Sequence, residues 1–423
     1  MAGQKTLAAL LQHFEKAPYI AIFNSNTGQG HMLPLFYHEF DWMIAVRWDY
    51  QTPLSSPYFE SLQELMSNQP GYYCGYLGYE LKDELEDLQS KHPNTSDFPP
   101  AFFFHPQYIL VCKNGKLSIV LDEKGYGLSL DSMEALELKI PNKAAPIKMN
   151  LRTSRARYLE KVNEIKEAIA AGTVYELNYC IEWYNENAVI DPVAVWLELI
   201  EYSPTPFSGF LKFNDHYLLC ASPERFLKRH NDKLVSQPIK GTRKRGSTIE
   251  EDEFLANELR NDIKERAENV MIVDLVRNDL ARSCIPGSVH VPELMQVFRF
   301  PTVHQMISTV TGTLRTDCTT LDAIKNAFPM GSMTGAPKVK AMELIDELED
   351  NRRGVYSGAF GYFTHEGNCD FNVVIRSIVY NQQNRYLSFE TGGAITIDSE
   401  PDKEWDECLL KAKSQLKVLE GKR

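Results

Sequence analysis

No apolar run in the 423 residues approaches the length of about twenty that a membrane-crossing helix requires. Positive charge is also scarce. Forty-five Lys and Arg stand against 57 Asp and Glu, a formal net charge of −12, so no broad basic face is available to hold nucleic acid. The first sixteen residues mix Lys5, His13, Glu15 and Lys16 into their apolar positions and lack the pattern of a secretory leader. The eight cysteines, at 74, 112, 180, 220, 284, 318, 369 and 408, form no Cys-x-x-Cys pair. Several lie in apolar, strand-like text, where a buried thiol is expected. These absences point to a reducing, cytoplasmic setting. Internal repeats and low-complexity tracts are missing too.

What is present is enough for a large core: 43% of the residues are hydrophobic. Residues 1–145 read as a β-rich segment packing on the core, with short strands at 19–23, 71–77, 108–113 and 116–121 and a loop at 90–100. A connector is expected at 143–150, ahead of a catalytic domain at 150–423. Ser154 can cap a helix whose apolar positions Tyr158, Val162, Ile165 and Ile169 recur at helical spacing, and Gly172 ends it. Strands are expected at 173–183, 216–221, 356–364, 371–380 and 386–390, and helices at 251–269, 321–327, 338–349 and 402–419. Strands and helices interleave without strict β-α-β alternation, which predicts an α+β fold.

Several stretches carry chemistry. Residues 237–246 (Gln-Pro-Ile-Lys-Gly-Thr-Arg-Lys-Arg-Gly) read as a basic turn presenting Lys240 and the amides near Gly241 and Thr242 to a small anion. Glu265 and Glu268, and again Glu404 and Glu407, stand three apart on predicted helices, so each pair directs its carboxylates to one face. Two such faces meeting would form an all-oxygen site suited to Mg²⁺. Taken alone, each pair also fits a solvated helix face. Gly331-Ser332-Met-Thr334-Gly-Ala-Pro-Lys338 has the flavour of a phosphate loop, but it lacks the Gly-Lys-Ser/Thr ending a nucleotide site needs. Arg376 stands in an apolar run and therefore demands a partner.

In order along the chain, these motifs resemble those of the chorismate-utilising enzymes. The likeness covers roughly residues 150–420 and rests on Pro238-Ile-Lys-Gly-Thr-Arg243, Ser222-Pro-Glu-Arg-Phe226, both acidic pairs, His304, the Gly331–Lys338 motif, Tyr356, Arg376 and Gly392-Gly393. The resemblance implies a layered β-sandwich core with flanking helices. It also implies a Mg²⁺ ion with Glu268 and Glu407 as inner ligands and Glu265 and Glu404 behind them through water. Tyr356, Arg376, Gly392 and Gly393 would take the substrate's enolpyruvyl carboxylate. Gly241, Thr242, Ser332 and Thr334 would complete substrate binding, His304 would sit near the leaving group, and Glu224 would be the acid that helps the ring hydroxyl depart.

Lysine at position 240 is implied to mark the branch that adds ammonia at C4 of chorismate. Relatives that aminate C2 usually carry alanine there, and those that add water at C2 use a lysine base where this chain has Glu176. Lys240 would attack C2 and block it. Its amine would need desolvation, or cations such as Arg243, to lower a pKa of about 10.4. No glutaminase module is expected within the chain, so the resemblance implies a glutamine amidotransferase partner. Amination at C2, and a non-catalytic subunit keeping the fold, stand as alternatives.

Overall fold

The computed structural model describes residues 4–26, 34–36, 39–123, 146–300 and 303–421, together with Gly125, Leu128, Ser132, Met133 and Leu136. Part of the expected connector at 143–150 falls outside these residues. The longer helices among the described residues are α1 (Gln4–His13), α2 (Tyr58–Asn68), α3 (Arg155–Ala170), α4 (Pro192–Tyr202), α5 (Ile249–Asn261), α6 (Ile263–Ala281), α7 (Thr320–Ala327), α8 (Lys338–Leu348) and α9 (Pro401–Glu420). None is long and apolar enough to cross a membrane.

Two antiparallel sheets carry the chain. The first, of eleven strands, runs Gly335–Ala336, Glu176–Asn185, Tyr386–Ile395, Ile378–Asn381, His216–Ser222, Phe207–Phe213, Tyr19–Asn24, Trp42–Arg47, Tyr108–Lys113 and Lys116–Asp122, and Asn150–Leu151 also pairs with Glu176–Asn185. The second, of nine strands, runs Ile239–Lys244, Val303–Thr313, Lys233–Gln237, Arg225–His230, Cys369–Val373, Ala359–Phe363, Tyr73–Leu77 and Ala101–Phe104, and His290–Arg299 flanks Val303–Thr313. Strands from the first third of the chain thus lie inside both sheets.

Strand alternation explains the layering. Tyr19, Ala21 and Phe23 point into the space between the sheets, where they meet Cys74, Tyr76, Phe102 and Phe360. Ile20 and Ile22, one residue out of phase, face outward onto Leu7 and Leu10 of α1, Trp196 of α4 and Leu419 of α9. The outer face of the second sheet packs Tyr73, Phe103 and Leu234 against Phe59 of α2, Ile272 and Val276 of α6 and Ile324 of α7. The result is a sandwich with helices on both faces, the α+β architecture expected. Stacked rings bridge the interior, Phe102 to Phe213 with centroids 4.2 Å apart and Phe23 to Phe360 at 4.8 Å. Such pairs contribute about 0.5–1.5 kcal/mol each beyond area burial.

Ser154 caps α3 as expected, accepting from the Arg157 amide, and Gly172 follows the helix with φ +75°. Three expectations need correction. The helix expected over 251–269 is two helices, because Asp262 ends α5 and caps α6, where its carboxylate accepts from the Glu265 amide at 3.0 Å. The strand expected over 371–380 is two strands belonging to different sheets, and the chain passes between them at residues 374–377. The basic turn at 237–246 is mostly a strand, Ile239–Lys244, because Val303–Thr313 is long enough to pair with both Lys233–Gln237 and its continuation.

Candidate active site

The site lies where the sheets part. Pro223 and Glu224 carry the chain from His216–Ser222 in the first sheet to Arg225–His230 in the second, and residues 374–377 carry it back. The two crossings are tied together. The Ser222 hydroxyl donates to the Val373 carbonyl at 2.6 Å, and the Val373 amide donates to the Glu224 carbonyl at 3.0 Å. Residues that leave a ladder can aim side chains across the gap, and Glu224 and Arg376 both sit at such points. Arg376 lies between strands rather than on one, as does Tyr356, contrary to expectation, and Arg376 holds a left-handed φ of +55°. A bulky residue is kept there only by surrounding contacts, here including its Nη1 donating to the Lys411 carbonyl at 2.9 Å.

Lys240 is aimed by a bulge. The register between Ile239–Lys244 and Val303–Thr313 slips between Ile239 and Thr242, leaving Lys240 and Gly241 out of step. Gly241 has φ +92°, and a Cβ there would lie 2.9 Å from Leu259 and 3.2 Å from the Glu265 carboxylate, so the bulge needs glycine. The Lys240 ammonium stands 3.7 Å from Glu268. Burial lowers its pKa, but Glu176, Glu268, Glu407 and Glu224 together outweigh burial and raise it. Arg243 does not act on the amine as expected. Its guanidinium is spent on Glu258 (3.1 Å), Glu265 (3.1 Å) and Asp262 (2.7 Å).

Glu224 is buried, and burial pushes its carboxyl up to about 7, with Ser332 and Lys240 pulling the other way. Arg225 is not its counter-ion, because the Arg225 fork grips Asp370 at 2.8 and 2.9 Å. The buried Ser332 hydroxyl stands beside this carboxyl and has no hydrogen-bond partner of its own. Thr334 turns its own back onto the Met330 carbonyl at 3.2 Å. Thr242 is exposed. His304 is fully buried, with Nε2 hydrogen-bonded to Asp252 at 2.9 Å and Nδ1 lacking a partner.

The acidic faces of α6 and α9 approach one another. Lys264 places its ammonium 3.7 Å from Glu268 and 3.8 Å from Glu404. Glu404 and Glu407 each lie 3.5 Å from where a Cβ on Gly393 would sit, so glycine lets α9 come close. Burial raises Glu404. At Glu407 burial is outweighed by Lys411, 2.6 Å away, and the pKa falls. Among the described residues no three acidic, histidine or cysteine side chains close into a metal cage. Mg²⁺ does not require one, since it keeps several waters and takes one or two carboxylates beside substrate oxygens. An oxygen-only donor set around a position already holding an ammonium fits such an ion. Arg376 completes the group, with burial lowering its pKa and Tyr356 and Glu407 as its nearest opposing influences.

Glu176 was missed as a site residue. It is buried on Glu176–Asn185, its Oε2 lacks a hydrogen-bond partner, and burial raises its pKa against the pull of Lys240. The available signal was a carboxylate inside an apolar strand. Lys264 and Lys411 were also missed, although each stands four residues from an acidic partner on its own helix.

The fold thus brings a buried acid, a primary amine, two acidic helix faces and an arginine to one seam. The family described as chorismate binding enzyme matches residues 31–417, and the chain belongs to it. A protein of Oryza sativa subsp. japonica named probable aminodeoxychorismate synthase, chloroplastic, is 38% identical over 390 residues, covering 83% of this chain and 43% of that protein. The chain therefore spans less than half of that relative's length. Anthranilate synthase component 1 of Thermus thermophilus is 35% identical, covering 83% of this chain and 78% of that one. The crystal structure of anthranilate synthase component I from Streptococcus pneumoniae superposes with a TM-score of 0.75 at 26% identity, covering 94% of this chain and 90% of the other.

Proposed function

We propose that the chain is the synthase component of an aminodeoxychorismate synthase, converting chorismate and ammonia to 4-amino-4-deoxychorismate. Similarity alone separates this reading only narrowly from anthranilate formation, as the identities of 38% and 35% make plain. Lys240 carries the choice, a primary amine bulged toward the seam among four carboxylates.

Arg376 and Tyr356 receive the enolpyruvyl carboxylate, since a guanidinium fork suits a planar anion. Glu268 and Glu407, with Glu265 and Glu404 behind them, would hold Mg²⁺. When bound, the ion supplies Lewis-acid polarisation of the ring carboxylate and offsets carboxylate charge that otherwise keeps Lys240 protonated. The neutral Lys240 amine adds at C2, the ring double bonds shift, and the C4 hydroxyl departs as water with the proton of Glu224. Ammonia then adds at C4, the double bonds shift back, and the bond from C2 to Lys240 breaks. A glutamine amidotransferase partner delivers the ammonia, and free ammonium serves in its absence.

Mass analysis of the product from chorismate, Mg²⁺ and ammonium tests this reading. A product of the mass of 4-amino-4-deoxychorismate supports it, and fluorescent anthranilate would replace it with amination at C2.

A further inference from the structure

A second buried polar cavity shares Tyr356 as a wall and reaches the exposed loop at residues 94–96. Four buried carboxyl groups cluster in and around it: Glu80, Glu182, Glu349 and Glu390. Three have guanidinium partners. Arg353 forks onto Glu349 at 2.9 and 2.6 Å, Arg152 bonds Glu182, and Arg352 stands 3.6 Å from Glu80. Lys82, the other cation near Glu80, is bound to Asp83.

Glu390 alone has no cation of its own. It is 4% exposed, lines the cavity, and its Oε2 is buried without a hydrogen-bond partner. Burial first, then the charges of Glu349 and Glu182, drive its carboxyl well above the usual range, while Arg353 and Asn351 oppose them. Asn351 beside it also has a buried Oδ1 with no donor. The Glu390 Oε2 and the Asn351 amide oxygen thus both lack a partner, and whenever Glu390 ionises, carboxylates there outnumber guanidiniums by one. The missing component is a small cation that donates several hydrogen bonds.

From the cavity a polar path leads to the seam. The Tyr356 hydroxyl lies 3.4 Å from Cys180 Sγ, which donates to Asn178 Oδ1 at 3.1 Å. The Asn178 amide donates to the Ser332 carbonyl at 3.1 Å, and Ser332 adjoins Glu224. We infer that the cavity is an ammonium site, in which Glu390 supplies the charge and Asn351 a second acceptor, and that it stores the nitrogen substrate between the 94–96 loop and the seam. The inference rests on the amination proposed above. On release, ammonium gives one proton to Glu390 and moves on as neutral ammonia, the form that can attack carbon. The next ammonium displaces that proton to solvent.

Rubidium, close to ammonium in size and visible by anomalous diffraction, is the direct probe. Crystals of the chain soaked in rubidium chloride should show a peak within bonding distance of Glu390, absent in Glu390→Gln. Water alone in the cavity would overturn the inference. In solution Glu390→Gln should raise the KM for ammonium about tenfold, the loss of one charge-assisted hydrogen bond, and leave the KM for chorismate unchanged. Equal ammonium KM values in parent and variant would also overturn it. Absence of any aminated product would instead refute the function proposed above, and the rubidium peak is read without turnover.

Discussion

Two clusters of buried charge meet at Tyr356, and they are built on opposite plans. At the centre of the first, Arg353 and Glu349 are matched and hydrogen-bonded: their fork is almost wholly buried on both sides, and Arg353 also donates to the Met333 carbonyl at 2.6 Å and the Asn178 carbonyl at 2.8 Å. Around Lys240 the charges are near one another but poorly bonded. Its nearest carboxylate is 3.7 Å away, Glu176 Oε2 has no partner, and burial pushes the Glu224 carboxyl up to about 7. Matched, bonded charge fixes the architecture of a domain; mismatched charge is kept where a ligand completes it. Glu390 follows the plan of the second, with a buried Oε2 that has no partner, and Glu80 shares that trait, its Oε2 unbonded beside an Arg352 that stands 3.6 Å away.

The comparison can be tested at both ends. The largest effect is expected at Lys240. Lys240→Ala should abolish amination at C4 while the protein still unfolds cooperatively, and unchanged turnover would remove the lysine from the chemistry. Next, Glu224→Gln should lower kcat by about 10²–10⁴-fold, the usual contribution of a positioned general acid. In the parent, kcat should fall as pH rises through about 7, because Glu224 must carry its proton, and the variant should lose that limb.

On the structural side, Arg353→Met leaves Glu349 buried and unpaired, and should cost about 3–5 kcal/mol in urea unfolding. The double replacement Arg353→Met with Glu349→Leu should recover much of that. A comparable loss in Lys240→Ala would erase the distinction between the clusters.

The smallest effect is at Glu80, which burial pushes up to about 7 from an ordinary 4.5, with Arg352 and Lys82 opposing. A carboxyl whose folded pKa is raised contributes stability that is full below its unfolded value and lost as pH rises through the folded one. Stability should therefore decline between pH 4.5 and 7, and Glu80→Gln should flatten part of that decline. The pH limb of kcat should not move, since Glu80 and Glu224 share a pKa but not a role.

Much of this was legible in the sequence, for reasons that differ by residue. The acidic pairs of α6 and α9 could be read because i, i+3 spacing fixes a shared helix face whatever the tertiary fold. The Ser154 cap is a local hydrogen bond and was equally visible. What escaped depends on contacts between distant strands. The bulge at Lys240 exists only against Val303–Thr313, and the break at residues 374–377 exists only because the flanking strands join different sheets. The Arg353 cluster draws members from residues 80 to 390, and no local pattern announces it. Lys240, Glu224, Glu268 and Glu407 each stood out in sequence, whereas their gathering with Glu176 around the amine, which holds it charged rather than neutral, did not.

The central claim is that the Lys240 amine occupies C2 of the ring so that nitrogen enters at C4. Its most direct test is intact-protein mass spectrometry after mixing with chorismate and Mg²⁺ in the absence of ammonium, followed by peptide mapping. The account predicts an added mass equal to chorismate less one water, located at residue 240 and discharged when ammonium is supplied. Turnover to the aminated product with no adduct at that residue, or with an adduct that ammonium does not discharge, would contradict it.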